Sequence, residues 1–316
     1  MKLNKKIVAI ALAVLIIAAG IFLAVRPRTP QKPKEKTVVT SFYPIWLITL
    51  NLTSGVDGLT VRNLAAPTVG CLHDYQLQTS DMKSLSDADA LLVNGAGMES
   101  FLPEITRAFP NLPVLTASEG IELLQEGDAV QIGDPEEEEV NSHIWLDPVR
   151  AVRMAENLAA GLTGIFPEYG DAISANLESY RSRLLKLDEK LRDGLKDLPR
   201  REIVTFHEAF PYFAAAYGLK VVAVVNKEPG EVVSPAQMGD LVREITRLGN
   251  PPLFVEPQYT DLSAETLARE TGSAVYSLDP VVTGPAEKVP LDYYETVMLK
   301  NMDVLIEALS AGETAR

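Results

Sequence analysis

The sequence predicts an α/β fold with two lobes, each with a mainly parallel sheet flanked by helices, joined by one long backbone helix. Short β-branched runs alternate with longer helical patterns through most of the chain. These runs fall into two sets, and a single long helical pattern lies between the sets. Because helices separate successive strands, parallel pairing through helical crossovers is favoured in both sheets.

The first 36 residues stand apart from this fold. Three lysines precede an apolar run from Ile7 to Val25, and a basic, proline-rich stretch follows it. This order is typical of an export signal. The run approaches the ~20 residues that span a bilayer, and no small-x-small cleavage site follows it, so it also fits an uncleaved membrane anchor. We therefore expect the folded part to lie outside the cytoplasm, either periplasmic or membrane-anchored at the cell surface.

The strand patterns set the predicted domain division. A first lobe, residues 37–166, holds four strand patterns, and a second lobe, residues 199–316, holds four more. The predicted strands are Thr37 to Ser41, Leu59 to Leu64, Ala90 to Val93, Val114 to Thr116, Glu202 to Phe206, Lys220 to Val225, Leu253 to Val255 and Ala274 to Leu278.

A linking helix is predicted for residues 167–198. The pattern from Tyr169 to Leu198 places apolar residues at steps of three or four, as expected for one continuous amphipathic helix. At 1.5 Å per residue, such a helix reaches roughly 40 Å. It is therefore long enough to contact both lobes; the alternative is a surface helix of one lobe.

Composition limits the function classes. After residue 36 the chain has 21 basic and 42 acidic side chains, so its net charge of −21 argues against nucleic acid as a partner. Cys71 is the only cysteine, which excludes an internal disulfide. An exported protein without disulfides relies on packing, and on any bound ion, for its rigidity.

Three histidines and one aspartate define a candidate metal site. His73, His143 and His207 are the only histidines, and with Asp279 they are separated by 70, 64 and 72 residues. Each lies beside a predicted strand end or helix start, where open α/β sheets place their ligands. Two of the four come from each lobe, so the fold must bring them together before they can hold an ion.

The chain also contains a set of short motifs, several of which include these residues. They are Ser41-Phe42-Tyr43-Pro44-Ile45, His73-Asp74-Tyr75, Asn94-Gly95-Ala96-Gly97-Met98-Glu99, His143-Ile144-Trp145-Leu146-Asp147-Pro148, Phe206-His207-Glu208-Ala209-Phe210, Phe254-Val255-Glu256-Pro257-Gln258 and Leu278-Asp279-Pro280, with a closing helix from Tyr294 to Leu309. Together they resemble the zinc and manganese substrate-binding proteins of ABC importers, the cluster A-I solute receptors. The similarity extends from about Val38 to Leu309.

The resemblance implies both a fold and a function. It implies two α/β lobes joined by one long helix, with the ion buried in the cleft between them. His73 and His143 are then the ligands from the first lobe, and His207 and Asp279 those from the second. The implied protein is a monomeric extracytoplasmic receptor, not an enzyme, that captures a divalent metal ion and delivers it to an ABC permease.

The donor set favours Zn²⁺ over Mn²⁺. Three imidazoles and one carboxylate close a tetrahedral coordination that Zn²⁺ accepts, whereas Mn²⁺ prefers more oxygens. Manganese-type members usually have Glu at the position of His207. The chain also departs from zinc members, because the acidic run Glu136 to Glu139 stands where a His-rich loop is common. This run is either a solvated loop or a weak recruiter of cations, and an Mn²⁺-specific receptor of the same family stays the alternative.

Neighbouring residues are candidates for orienting the imidazoles. Asp74, Asp147, Glu208 and Glu256 carry oxygens that can accept the second N–H of a ligating histidine. Asp147 has a structural alternative as a helix N-cap, and Glu256 has a functional one as a direct ligand. Cys71 is expected to be a small buried thiol, with a soft metal ligand as the alternative.

Two other function classes fit three histidines and a carboxylate. A zinc-dependent hydrolase keeps an open coordination position for water, but the sequence has no His-Glu-x-x-His helix, Gly-x-Ser-x-Gly elbow or Gly-rich phosphate loop. An adhesin or structural surface protein holds its metal until it unfolds. Reversible release of the ion separates a carrier from such a structural site.

Overall fold

The computed structural model describes residues 35–72, 75–125, 130–131, 140–225, 233–258 and 262–310. The strands in these ranges form two sheets, and the strand pairs in both sheets are parallel. The predicted α/β class is therefore confirmed. Among the residues described, no helix combines the length and apolarity needed to cross a membrane. The apolar run from Ile7 to Val25, for which an export signal or a membrane anchor is predicted, lies outside the described ranges.

The first sheet contains four strands with both central strands buried. The strands are β1 (Lys36–Thr40), β2 (Leu59–Asn63), β3 (Ala90–Val93) and β4 (Val114–Thr116), and the connecting helices are α1 (Tyr43–Leu52), α2 (Thr79–Ser86) and α3 (Leu102–Ala108). Their order in the sheet is β2-β1-β3-β4. All four residues of β3 are buried, which explains why this strand is a continuous apolar run instead of an alternating one.

A pair of long helices follows the first sheet. Helix α4 (Pro148–Ile165) leads through a 3₁₀ turn at Pro167–Tyr169 into helix α5 (Gly170–Leu195), which is 26 residues long. Helix α5 packs against α1 and α4, and also against α6 (Pro211–Tyr217) and α9 (Tyr293–Ser310). A Cβ atom at Gly194 would lie 2.4 Å from Met302 Sδ, so this glycine permits the close approach of α5 and α9. The long helix that joins the two lobes is confirmed.

The second sheet contains five strands in the described ranges. These are β5 (Val130–Gln131), β6 (Glu202–Thr205), β7 (Lys220–Val224), β8 (Leu253–Val255) and β9 (Val275–Ser277), and helices α7 (Pro235–Arg247) and α8 (Leu262–Thr271) complete the lobe with α6 and α9. The order is β5-β7-β6-β8-β9. Strand β5 belongs by sequence to the predicted first lobe, yet it pairs with β7. The domain division by residue number therefore stays a prediction.

The buried core is continuous between the two lobes. One large cluster of buried apolar side chains includes residues of the first sheet, of α4 and α5, and of α6 and α9, while a smaller cluster lies around β6 and β8. Hydrogen bonds also connect the lobes: Trp145 Nε1 donates to the Pro280 carbonyl at 2.8 Å, and the Tyr294 hydroxyl donates to the Trp145 carbonyl at 2.6 Å. Burial and hydrogen bonding together hold the two sheets in a fixed relation.

Candidate metal centre

His143 lies at the entrance to helix α4. A 3₁₀ turn at Ile144–Leu146 separates it from the helix, and Asp147 caps the helix by accepting a hydrogen bond from the Val149 backbone N–H at 2.9 Å. Asp147 also forms an ion pair with Arg150. Its carboxylate therefore has the capping role that the sequence offered as the alternative to orienting an imidazole.

Asn141 fixes the tautomer of His143. The side-chain N–H of Asn141 donates to the Glu208 carbonyl at 2.7 Å, which sets the orientation of the amide. The Asn141 Oδ1 then accepts the backbone N–H of His143 at 3.0 Å and lies 3.3 Å from its Nδ1. Because Oδ1 can only accept, Nδ1 carries the ring proton and Nε2 carries the lone pair that can bind a metal. Glu208 thus acts on this site through its backbone carbonyl.

Glu256 fixes the tautomer of His207 in the same way. The Glu256 Oε1 lies 2.6 Å from His207 Nδ1, and both side chains are 4% exposed. Gln258 donates its side-chain N–H to the other carboxylate oxygen, Oε2. This is the arrangement in which a carboxylate orients a ligating histidine and raises its basicity. It corresponds to the orienting role predicted for Glu256, and it leaves Nε2 of His207 as the donor nitrogen.

The two histidines meet at the junction of the lobes. His143 precedes α4, which packs on the first sheet, while His207 follows β6 of the second sheet, and their ring centroids are 4.8 Å apart at an angle of 79°. Cys71 Sγ lies 3.4 Å from His143 Nε2. One potential ligand atom from each of Cys71, His143 and His207 lies within 4.8 Å of the other two. Three donors therefore converge on one small volume.

Asp279 is held at the end of β9 by its backbone and side chain. Its backbone N–H and carbonyl are both hydrogen-bonded to the Asn301 side chain, at 3.0 and 2.7 Å. Its Oδ1 accepts the N–H of Val281 at 2.8 Å, and Val281 has a φ of +61°. A left-handed conformation costs a β-branched residue about 1–3 kcal/mol. The surrounding packing, in which Val281 is fully buried, therefore holds this loop in one conformation.

The electrostatic setting of Asp279 favours a cation. Burial raises the pKa of the Asp279 carboxyl, and the nearby negative charge of Glu256 raises it further. The Val281 N–H and the charge of Lys300 act in the opposite direction. A divalent ion beside these two carboxylates would remove the cost of their mutual repulsion.

The structure brings together part of the predicted site. His143 and His207 converge, while Asp279 is not part of the three-residue cluster that they form with Cys71. His73 and Asp74 lie outside the described residues, as does the acidic run Glu136 to Glu139. The sequence assigned Cys71 mainly to packing, although its position just before the first histidine, in the loop after β2, indicates proximity to the site.

Comparison with known proteins assigns the chain to a family. The sequence profile of the family described as "Zinc-uptake complex component A periplasmic" matches residues 38–308. The chain belongs to this family. The resemblance predicted from the motifs is thereby confirmed. Members of this family are, by that description, components of a periplasmic zinc-uptake complex.

Curated relatives are similar over most of the chain. It is 29% identical over 286 residues to the zinc-binding protein AdcA of Streptococcus pyogenes serotype M3, which covers 85% of this chain and 55% of AdcA. It is 26% identical over 316 residues to the high-affinity zinc uptake system protein ZnuA of Bacillus subtilis, which covers 95% of this chain and 96% of ZnuA. The chain thus spans about half the length of AdcA and nearly all of ZnuA.

Solved structures of metal-binding proteins share the fold. FpvC of Pseudomonas aeruginosa in complex with Mn²⁺ has a TM-score of 0.77 at 25% identity, and the match covers 88% of this chain and 99% of FpvC. Zn(II)-bound AdcA of Streptococcus pneumoniae has a TM-score of 0.73 at 26% identity, with 87% of this chain and 58% of AdcA covered. The predicted two-lobed receptor fold is confirmed by these matches.

Proposed function

We propose that this protein captures Zn²⁺ outside the cytoplasm, in the cleft between its two lobes, and delivers it to an ABC importer. The observation that carries this proposal is the meeting of His143 and His207, one from each lobe, with both Nδ1 atoms held by oxygen acceptors. Both rings therefore present Nε2 to a common volume. Membership of the zinc-uptake family, and the zinc-binding names of the relatives, support the same reading.

The proposed ligands are His73, His143, His207 and Asp279. Imidazole nitrogen suits Zn²⁺ better than Mn²⁺, and a set with one carboxylate supplies few of the oxygens that Mn²⁺ prefers. The Mn²⁺-bound structure of FpvC shows that a protein of this fold can also hold manganese. Zn²⁺ is nevertheless the proposed cargo, because His143 and His207 supply the nitrogen donors that suit zinc.

Carriage is proposed instead of catalysis. Four protein donors around one Zn²⁺ ion fill a tetrahedral coordination and leave no position for the water that a hydrolytic zinc site needs. The family description, a component of a zinc-uptake complex, agrees with carriage. We therefore propose that the protein is not an enzyme.

Delivery requires a partner at the membrane. The family description names a periplasmic uptake complex, and one relative is named a zinc-binding lipoprotein. We infer that the chain acts as a monomer at the outer face of the cytoplasmic membrane, held there by its N-terminal segment, and that it releases its ion to an ABC permease. Cell fractionation followed by treatment with salt and with detergent tests the membrane attachment.

The central test is a calorimetric titration of the full chain after removal of metal with a chelator. Zn²⁺ and Mn²⁺ are titrated separately, in a buffer that contains a competing chelator. One tight Zn²⁺ site, with Mn²⁺ bound much more weakly, is expected. Exchange of bound Zn²⁺ into excess chelator while the protein stays folded is also expected, because a carrier must release its ion.

Two variants serve as the matched pair for this titration. His207→Ala removes a proposed ligand and should abolish tight binding. Asp193→Asn changes an exposed side chain near the C-terminal end of α5 and should leave tight binding intact. Tight Mn²⁺ binding would transfer the proposal to manganese. Absence of a tight site for either ion would overturn it.

A further inference from the structure

Cys71 places a soft donor beside the histidine pair. Its Sγ lies 3.4 Å from His143 Nε2, the nitrogen that carries the lone pair when Nδ1 donates to Asn141. The neighbouring Leu72 is completely buried, and its carbonyl accepts the Tyr75 N–H at 3.1 Å. The backbone beside Cys71 is therefore anchored. The thiol lies next to Nε2, the nitrogen of His143 that can bind a metal.

The spacing of the donor atoms fits a bound zinc ion. A tetrahedral Zn²⁺ with a nitrogen at ~2.0 Å and a sulfur at ~2.3 Å holds these two ligand atoms about 3.5 Å apart. The observed separation of Sγ and Nε2 is 3.4 Å, and the atoms of the three-residue cluster lie within 4.8 Å of one another. The Sγ–Nε2 pair therefore has the spacing of coordinated atoms before any ion is added, while the 4.8 Å limit for the whole cluster leaves the third donor to move closer when an ion binds. A thiol–imidazole hydrogen bond gives the same distance, and the presence of a zinc–sulfur bond distinguishes coordination from such a hydrogen bond.

We propose that Cys71 binds the metal directly through its thiolate, in one donor set with His143 and His207. This inference rests on the proposed function and adds a determinant of metal choice. Thiolate is a soft ligand that suits Zn²⁺ and is a poor ligand for Mn²⁺. Cys71 thus makes the site selective for zinc. In a tetrahedral site it replaces one of the two donors proposed above outside this cluster, His73 or Asp279, and the other fills the fourth position.

The first measurement is zinc K-edge X-ray absorption on the full chain loaded with one equivalent of Zn²⁺. A zinc–sulfur distance of about 2.3 Å is expected in the wild type, and only nitrogen and oxygen neighbours at about 2.0–2.2 Å in Cys71→Ser. Because Cys71 is the only cysteine, a sulfur signal lost in this variant belongs to that thiol. Replacement of zinc by Co²⁺ gives a second readout, a thiolate-to-cobalt charge-transfer band in the near ultraviolet that Cys71→Ser must lack.

The second measurement is metal affinity by chelator competition. Cys71→Ser and Cys71→Ala should both bind Zn²⁺ at least about tenfold more weakly than the wild type, since a lost ligand should weaken binding no less than a lost orienting group. Mn²⁺ binds more weakly than Zn²⁺, and its affinity should be nearly the same in the variants as in the wild type. The ratio of Zn²⁺ affinity to Mn²⁺ affinity therefore falls in the variants. Thermal unfolding of the metal-free variants identifies any loss due to misfolding, and the Ser and Ala variants must agree in direction.

The outcomes separate this inference from the proposed function. Tight Zn²⁺ binding by the wild type with only nitrogen and oxygen neighbours, and unchanged affinity in the variants, would overturn the role of Cys71 and leave the receptor intact. Absence of tight Zn²⁺ binding in the wild type would overturn both. A zinc–sulfur bond together with a lower Zn²⁺/Mn²⁺ ratio in Cys71→Ser would establish the thiolate as a ligand that determines metal choice.

Discussion

At the residue scale, the candidate site depends on buried polar side chains that orient the histidines. Asn141 and Glu256 each place an oxygen against Nδ1 of one histidine, and all four side chains are buried. In such a low-dielectric setting an acceptor fixes the ring and its tautomer more strongly than it would in water. The geometry of the donors is therefore set before the ion arrives.

Glu256→Gln tests this orienting contact. The variant keeps an oxygen within reach of His207 Nδ1 but removes the negative charge that makes the imidazole more basic. We expect Zn²⁺ affinity to fall about 10–100-fold, as it does when such outer partners are lost, and chelator competition measures the change. Glu104→Gln, an exposed residue of α3, is the matched control. Equal affinity in both variants would contradict an orienting role.

At the scale of single elements, one contact determines where α4 begins and another contributes to the packing of α5 against α9. Asp147 caps the first turn of α4, directly after His143. Arg183 of α5 forms an ion pair with Glu295 of α9, with Nη1 and Oε1 3.1 Å apart. The first contact fixes where α4 begins, and the second fixes how α5 packs against α9 beside the second lobe.

Asp147→Ala should lower the free energy of unfolding by about 1 kcal/mol, because the Val149 N–H loses its side-chain acceptor. Denaturant titration of the metal-free protein measures this change. Asp147→Asn should recover most of the loss, since Asn caps helices about as well as Asp. If Asp147→Asn lowered the free energy of unfolding as much as Asp147→Ala, the stabilisation by Asp147 would come mainly from its ion pair with Arg150 and not from the helix cap.

The pH dependence of stability tests the buried carboxyl of Glu295. Burial raises the pKa of Glu295, and the charge of Arg183 opposes this only in part. The folded state therefore binds the proton more tightly than the unfolded state. As the pH rises from the unfolded pKa to the folded one, the contribution of Glu295 to stability decreases, and above both pKa values it stays at its lowest level.

The expected result is a difference between the wild type and Glu295→Gln that depends on pH. As the pH is lowered from 7 towards about 4.3, the unfolded glutamate pKa, the wild type should gain stability relative to this variant. Denaturant midpoints across that range measure the gain. Glu178→Gln, an exposed residue of α5 with a side chain 76% exposed, should show no such trend. A wild type that loses stability relative to Glu295→Gln on acidification would contradict the raised pKa.

At the scale of the whole molecule, the described residues behave as one packed body with two sheets. Residues of both lobes share one buried core. Helix α5 contacts elements of both lobes along its length, and hydrogen bonds such as those of Trp145 connect the lobes directly. A wide opening of the cleft would expose this core and break these bonds, so the lobes should move little when the ion binds.

Small-angle scattering of the metal-free and zinc-loaded protein measures this motion. We expect the radius of gyration to be nearly unchanged, because pre-organised sites move their backbone by about 1 Å or less on binding. Trp145→Phe, which loses the Nε1 donor to Pro280, gives a looser comparison protein, and Trp46→Phe is its matched control on the other tryptophan. A change of several ångströms in the wild type would show a hinged closure and contradict the rigid arrangement.

Local sequence patterns predicted the elements of the fold and the residue types of the site. Periodicity and capping are local properties, so the eight predicted strands and the long helix, predicted over residues 167–198 and found at Gly170–Leu195, were readable from neighbours in the chain. Helix α2 begins at Thr79, and its N-cap Gln78 forms a capping box with Asp81. Histidine and aspartate identity likewise predicted a metal site, and the family motifs predicted its place between two lobes.

Which donors converge depends on long-range packing. Strand β5 is two residues long, too short for periodicity, and its pairing with β7 follows from packing. The approach of Cys71 to His143, the amide of Asn141 that sets a tautomer and the left-handed Val281 all depend on residues brought together from distant parts of the chain or on dense local packing. Local propensity cannot report such contacts, because the free energy that enforces them comes from burial of the whole core.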